Sequence, residues 1–201
     1  MTEAQNIAFL TKPTNPIWRM SVGQYERMIE VGILTNDDPV ELLEGCLVKK
    51  MSKKPPHRLA TQLTREEVAR ILPAGWYVDA QEPIVTEDSE PEPDLSIVRG
   101  ERRQYHNRHP HASEVAVVIE VSDTTLQRDR VLKKRLYARA GIPVYVIINL
   151  PKRRVELYTD PTGPADEPDY QQHRDYGPTQ AWPLLLDGQE IGVLAVRDLL
   201  P

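Results

Sequence analysis

The 201-residue sequence predicts an α/β domain with a mixed central sheet, and three observations carry that prediction. Two continuous apolar runs, Val115 to Ile119 and Val144 to Ile148, read as strands buried on both faces. Between them, 128–140 has the pattern of a helix, closed by Gly141 with Pro143 just beyond. Strand, helix and strand in that compass form a right-handed parallel crossover. Finally, 94–98 reads as a strand joined to the 114–121 strand through a segment rich in Arg, His, Asn and Pro. That segment has no room for a crossover helix, so these two strands pair antiparallel.

The remaining elements follow in chain order. Residues 1–18 are expected to form an extended arm. Ser21-Val22-Gly23-Gln24 has the form of a capping box opening a short helix, with Val22, Tyr25 and Ile29 on one side and Gly32 stopping it. Residues 40–51 suggest a strand pair broken at Gly45. A helix is expected over 58–72, with Ala60, Leu63, Val68, Ile71 and Leu72 on about half its circumference and Pro73 after it. Short strands are expected from Trp76 to Ala80 and from Pro83 to Thr86. Residues 153–159 and 170–174 read as a more exposed hairpin, and 189–200 as a further edge strand and turn. No repeat or linker divides the chain, so one domain over 1–201 is expected.

Composition narrows the function. A hydrophobic fraction of 40% with 27% charged residues is ordinary for a globular chain. No apolar run approaches the ~18–20 residues of a membrane helix, and Glu3 stands where a secretory signal carries positive charge. Cys46 is the one cysteine and cannot form an internal disulfide. The expected location is therefore the cytoplasm, with no membrane partner. The absence of G-x-S-x-G, G-x-x-x-x-G-K and G-x-G-x-x-G removes serine-hydrolase, P-loop and Rossmann readings. His106, His109 and His111 form a cluster with Glu114 as the one nearby acid, which favours a polar loop over a metal site.

The net charge of -5 excludes a generic polycation, yet the charge is uneven. Segments 49–58, 99–111 and 128–139 are net basic, and everything else is acidic. A charge run is ordinarily a solvated face, but these three abut the candidate residues described next. They supply Lys49, Lys50, Lys53, Lys54, Arg102, Arg103, Arg130 and Lys134 as expected contacts to a phosphate backbone.

The antiparallel pairing sets the start of the 94–98 strand beside the end of the 114–121 strand, so Asp94 and Glu120 arrive at one end of the sheet. Glu120 follows five apolar residues, where an ionised carboxylate is costly unless something compensates it. A divalent cation with oxygen ligands does so, and Mg²⁺ suits one or two carboxylates plus a substrate phosphate. On the helix that follows, Asp129, Lys133 and Tyr137 share an i, i+4, i+8 face. Lys133 there can lean back toward both carboxylates to orient a water or stabilise a phosphorane-like transition state. The alternative is a surface ion pair with Asp129, which is worth little.

An ordered set of residues then carries a resemblance. Glu41-Leu42-Leu43-Glu44-Gly45, Met51, Pro55, His57, Pro93-Asp94, Glu120-Val121-Ser122 and Asp129-Arg130-x-x-Lys133-x-x-x-Tyr137-x-x-x-Gly141-Ile142-Pro143 cover roughly residues 20–159. Together they resemble the Uma-type restriction endonuclease family of the PD-(D/E)XK nuclease superfamily. The resemblance implies a restriction-endonuclease-like core, a mixed central sheet flanked by helices. It also implies an endonuclease that hydrolyses nucleic acid, DNA ahead of RNA, by metal-activated water with Mg²⁺ or Mn²⁺, with a homodimer as the assembly that cuts both strands. Residue by residue, Asp94 and Glu120 match the metal ligands. Glu41 matches an upstream acid that joins the site, with Glu44 as its rival. Much of the superfamily places a Lys two residues after the Glu; here that position is Ser122, and Lys133 on the following helix matches the migrated amine. Ser122, His57 and Tyr137 are carried over as accessory residues. One departure stands out: the family's Tyr-Trp-x-x-Asp strand is Tyr145-Val146-Ile147-Ile148-Asn149 here. It leaves a second expectation open, a catalytically inactive nuclease-fold module that binds nucleic acid or a protein partner.

Overall fold

The computed structural model of the chain describes residues 17–35 and 37–201. The expected arm over 1–18 lies outside these except for its last two residues. Ser21 caps helix α1 (Val22–Glu30) reciprocally: its Oγ accepts the Gln24 N–H at 3.2 Å, and its own N–H donates to Gln24 Oε1 at 2.9 Å. The helix buries Tyr25, whereas Ile29, expected on the same side, is exposed. Strands β1 (Val40–Leu43) and β2 (Cys46–Lys49) form an antiparallel hairpin. Glu44 and Gly45 turn it at φ 48° and 72°, the left-handed pair that a two-residue hairpin loop requires. Helix α2 (Pro55–Ile71) begins three residues before its apolar pattern does. Pro55 and Pro56 occupy its first turn, where a missing N–H costs nothing and φ is already set.

The central sheet runs in the order β3 (Trp76–Ala80), β4 (Leu95–Arg99), β5 (Val115–Ser122), β6 (Val144–Asn149), β7 (Arg154–Pro161), β8 (Tyr170–Tyr176). β5 and β6 are parallel, from Val117 opposite Val144 to Ser122 opposite Asn149; every other neighbouring pair is antiparallel. The mixed α/β fold is thus the one expected. A helical run over 126–139, α3, makes the crossover between β5 and β6; its middle, Asp129–Lys133, is a π-helical turn.

Strand alternation divides the core into two. On one face Val117, Ile119 and Val121 of β5 pack with Val146 and Ile148 of β6 and with Ala60 and Val68 of α2. On the other, Val118, Tyr145 and Ile147 pack against Leu132, Leu136 and Tyr137 of α3. Side chains two apart on a strand share a face, so Glu120 and Ser122 fall on the α3 side with Val118.

Two expectations are corrected. Pro83 to Thr86 is no strand; it makes one bridge, Val85 to His111. In the 154–176 hairpin, β7 is buried because it is an inner strand of the sheet, and only the edge strand β8 is exposed. The tail supplies the expected edge strand and turn, but in a sheet of its own: β9 (Ala181–Leu186) and β10 (Gln189–Ala195) pair as a separate two-stranded sheet, and a turn over Val196–Leu199 follows. Its Trp182, Leu184, Leu186 and Leu194 enter the α2-side core. Among the described residues no helix is long and apolar enough to cross a membrane.

Candidate active site

Leu95 pairs with Ile119 across β4 and β5. Asp94, one residue before, and Glu120, one residue after, therefore reach the same end of the sheet. Both are buried, at 6% and 4% exposure. Asp94 Oδ2 accepts the Val121 N–H at 2.9 Å and faces His57 Nε2 of α2 at 3.0 Å. His57 Nδ1 is buried with no hydrogen-bond partner among the described residues.

Helix α3 brings a cation and a hydroxyl to the same carboxylate. Lys133 Nζ donates to Glu120 Oε1 at 2.7 Å, and Tyr137 Oη donates to that oxygen at 2.8 Å. Ser122 Oγ and Thr125 Oγ1 both donate to Asp129 Oδ2 at 2.6 Å. In a regular α-helix each four-residue step overshoots a full turn by about 40°, so 129, 133 and 137 would drift apart around the axis. The wider π turn over 129–133 falls short of a full turn and offsets that drift. All three side chains are buried against the sheet as a result. The Asp129 carbonyl of the π turn accepts the Lys134 N–H and the Tyr145 hydroxyl.

The β1–β2 hairpin delivers the third carboxylate. Glu41 Oε2 lies 3.6 Å from Lys133 Nζ and accepts the Glu92 N–H at 3.2 Å. Glu44, its rival, faces elsewhere: Arg135 and Arg139 of α3 hold its carboxylate, and Arg19 donates to its carbonyl.

One ammonium therefore serves several buried acids. Burial pushes the Glu120 carboxyl up to about 7 against the pull of Lys133, with Asp129 and Asp94 adding to the rise. Burial alone would lower Lys133, but Glu120 and Glu41 hold its ammonium charged, above the ordinary lysine range. Asp129 is raised by burial despite Lys133 and the two hydroxyls. For Asp94 burial acts upward too, but the His57 contact, the Val121 N–H and Lys133 bring it below the ordinary value. Burial is the largest influence on all four groups, and Lys133 acts on each of the three acids against it.

The oxygens of Glu41, Asp94 and Glu120 do not all come within 4.8 Å of one another; among the described residues, donor atoms of Glu156, His173 and Asp175 do. Those groups are already engaged. Glu156 accepts from Arg130, Arg154, Asn149 and Tyr158, and Asp175 pairs with Arg154 and His173. The oxygen-rich pocket with an acid surplus is the better match for a hard divalent ion.

Of the basic residues expected at a phosphate backbone, Lys50, Lys53 and Lys54 line the pocket. Lys50 pairs with Glu92 at 2.7 Å, Lys53 lies 4.0 Å from Asp94, and Lys54 lies 3.9 Å from Asp123. Lys49 is exposed at the end of β2, and its carbonyl accepts from Arg128. Arg102 and Arg103 follow the far end of β4, where Arg102 donates to the Val78 carbonyl and covers the Tyr77 ring. Arg130 and Lys134 point toward β7 and the loop before β8, to Glu156 and Asp169. Sequence reasoning missed Glu92, Asp123 and Arg128 as pocket residues. Arg128 and Asp123 flank the loop that leaves β5 toward α3, and that position is the signal that would have found them.

The Uma2 family model, described as "Putative restriction endonuclease", matches residues 22–196. No curated protein matches the chain. Among solved structures, the chain is similar to a putative nuclease belonging to DUF820 from Anabaena variabilis ATCC 29413, at a TM-score of 0.65 and 15% identity. The match covers 92% of this chain and 97% of that one, and at that identity it is a likeness of fold.

Proposed function

The chain belongs to the Uma2 putative restriction endonuclease family, and from that premise we propose that it is a metal-dependent endonuclease that hydrolyses phosphodiester bonds in nucleic acid, DNA ahead of RNA. The observation that supports this best is the convergence of Asp94, Glu120 and Lys133 on one pocket also lined by Lys50, Lys53 and Lys54. Asp94, Glu120 and, from β1, Glu41 are the residues that would hold Mg²⁺ or Mn²⁺. The donor set fits, being oxygen only, and the surplus of buried acid over Lys133 is a charge imbalance that a divalent ion offsets. When bound, such an ion supplies an acidified water and positive charge at the phosphate.

The chain's own groups have distinct tasks in this reading. Lys133, fixed between Glu120 and Glu41, offers its ammonium to the attacking water or to a phosphate oxygen. Tyr137 fixes the orientation of Glu120 through Oε1, and His57 does the same for Asp94 through Oδ2. Ser122 has no amine to offer and instead anchors Asp129 at the start of the π turn that carries Lys133. Lys50, Lys53 and Lys54 meet the phosphate backbone. The lone Cys46 suits the reducing cytoplasm as the place of action.

The test is plasmid cleavage by the purified chain. Wild type should nick or cut with Mg²⁺ or Mn²⁺ and stop with EDTA, while Asp94→Asn and Glu120→Gln should fold and not cleave. Identical behaviour of all three across DNA and RNA substrates would overturn the enzymatic reading and leave a nucleic-acid-binding module in its place.

A further inference from the structure

A second recess, of about 420 Å³, lies beside the candidate active site, and Lys50 and Glu92 line both. Tyr25, Ile29 and Leu34 give it an apolar side, and Glu82, Glu90 and Glu92 an acidic one. The acids are unequally served. Glu92 has Lys50 at 2.7 Å, and Asp38 on the same lining accepts the Thr35 amide and hydroxyl. Glu90 has no such partner among the described residues. It is 3% exposed, and its Oε2 is buried with no hydrogen-bond partner among the described residues. Its backbone is fixed beside β1, where its N–H donates to the Leu42 carbonyl at 2.8 Å. Burial, with Glu26 and Glu92 adding, holds its carboxyl up at about 7.

A buried carboxyl without a donor is costly, and Leu would occupy the position without that cost. The feature therefore points to a ligand that brings donors. A metal ion is the poorer match, because Tyr25, Ile29 and Leu34 leave one side of the recess apolar. A recess of this volume with an apolar wall and a few convergent polar groups suits a small organic group instead. The basic residues on its lining are Lys50, already paired with Glu92, and His109 at the side of Glu82.

We propose that this recess binds an organic cation, a guanidinium or ammonium group that donates to Glu90 and Glu82 while its carbon stem rests on Tyr25, Ile29 and Leu34. The Tyr25 ring adds an attractive face for such a group. This inference goes beyond the nuclease reading and does not depend on it. The cation has two chemical sources, a small free amine or a basic side chain of a second copy of this chain.

The experiment titrates arginine amide into the metal-free full-length protein by isothermal titration calorimetry at low salt, without nucleic acid. Wild type should give saturable one-site binding. Glu90→Gln, which keeps the size and removes the charge, should weaken it tenfold or more while melting no lower than wild type. Asp94→Asn, in the neighbouring pocket, should stay within twofold. No saturable heat, equal affinity in Glu90→Gln, or loss of binding in Asp94→Asn overturns the proposal and leaves plasmid cleavage untouched. Sedimentation velocity separates the sources. Self-association that Glu90→Gln abolishes identifies a side chain of a second copy, and self-association unchanged by it identifies a free amine.

Discussion

Lys133 Nζ donates to Glu120 Oε1 at 2.7 Å, from a helix to a position near the end of a buried strand. With Ser122 at the strand position two residues on, an amine has to come from another element, and α3 supplies it through a π-helical turn. The pair is at 4% and 5% side-chain exposure, and Glu41 stands on the other side of the ammonium at 3.6 Å. This is a buried ion triad, not a surface pair, and its energetics follow the rule for uncompensated buried charge.

Lys133→Met should accordingly destabilise the protein by about 3–5 kcal/mol, because it leaves buried carboxylates without their counter-charge. Glu120→Gln in the same background should recover part of that loss, since one fewer charge then needs compensation. Urea unfolding of the two single variants and the double variant measures the coupling. Additive costs would mean that the pair does not interact in solution. Lys133→Met should also abolish cleavage.

A second carboxylate on the same face behaves oppositely. Glu156 lies across β6 from Glu120, in register through Ile147, and Arg130, Asn149 and Tyr158 bind it. Burial acts to raise it, but those donors bring it down to about 2. A depressed folded-state value means that the stabilisation is complete above the unfolded value near 4.5 and is lost as pH falls toward 2. The contribution is about 3 kcal/mol at neutral pH, from roughly 1.4 kcal/mol per unit. Glu156→Gln should lower the urea midpoint at pH 7 and flatten its decline between pH 5 and 2. Parallel pH profiles for wild type and variant would show that the arginine clamp does not operate.

Glu90 gives the reverse sign. Its folded-state value of about 7 lies above the ordinary glutamate value, so its ionisation costs nothing below about pH 4.5 and destabilises progressively as pH rises toward 7. Glu90→Gln should therefore raise the melting temperature more at pH 8 than at pH 5. Thermal unfolding of both proteins at the two pH values decides it; an equal shift at both would mean that Glu90 titrates normally.

The parts legible in sequence were those that strand pairing dictates. Asp94 and Glu120 could be brought together on paper because a short polar connection forces antiparallel neighbours, and the register of β4 on β5 agrees. The π turn was not legible, because Asp129 to Lys133 carries no residue that marks it; the Tyr145 hydroxyl on its carbonyl comes from 16 positions away. β9 hid behind Pro183, which argues against a strand except at an edge, and a two-stranded sheet has only edges. The basic run at 99–111 stood next to Asp94 in sequence, but β4 carries the chain the length of the sheet before that run begins. Glu41 and Glu44 could not be ranked, because a four-residue strand does not disclose which face turns inward.

That ranking now makes a prediction about the hairpin. β1 and β2 stand outside the central sheet, so Glu41 reaches the pocket only as well as the hairpin is held. Glu44 is the clamp, with Arg135 and Arg139 on its carboxylate and the Ser89 hydroxyl accepting its N–H at 2.7 Å. Beside it, Gly45 sits at φ 72°, and an added Cβ would meet Arg19 Cβ at 2.6 Å and the Met20 carbonyl at 2.9 Å. Glu44→Ala and Gly45→Ala should each cost about 2–4 kcal/mol, the first through loss of the carboxylate that Arg135 and Arg139 share and the second through backbone strain and collision. Glu44 does not touch the pocket, so cleavage by Glu44→Ala at a temperature where the variant is folded should fall through loosened placement of Glu41. Glu41→Gln should then lower activity much less in the Glu44→Ala background than in wild type. Full additivity of the two in a plasmid-nicking assay would separate the clamp from the pocket.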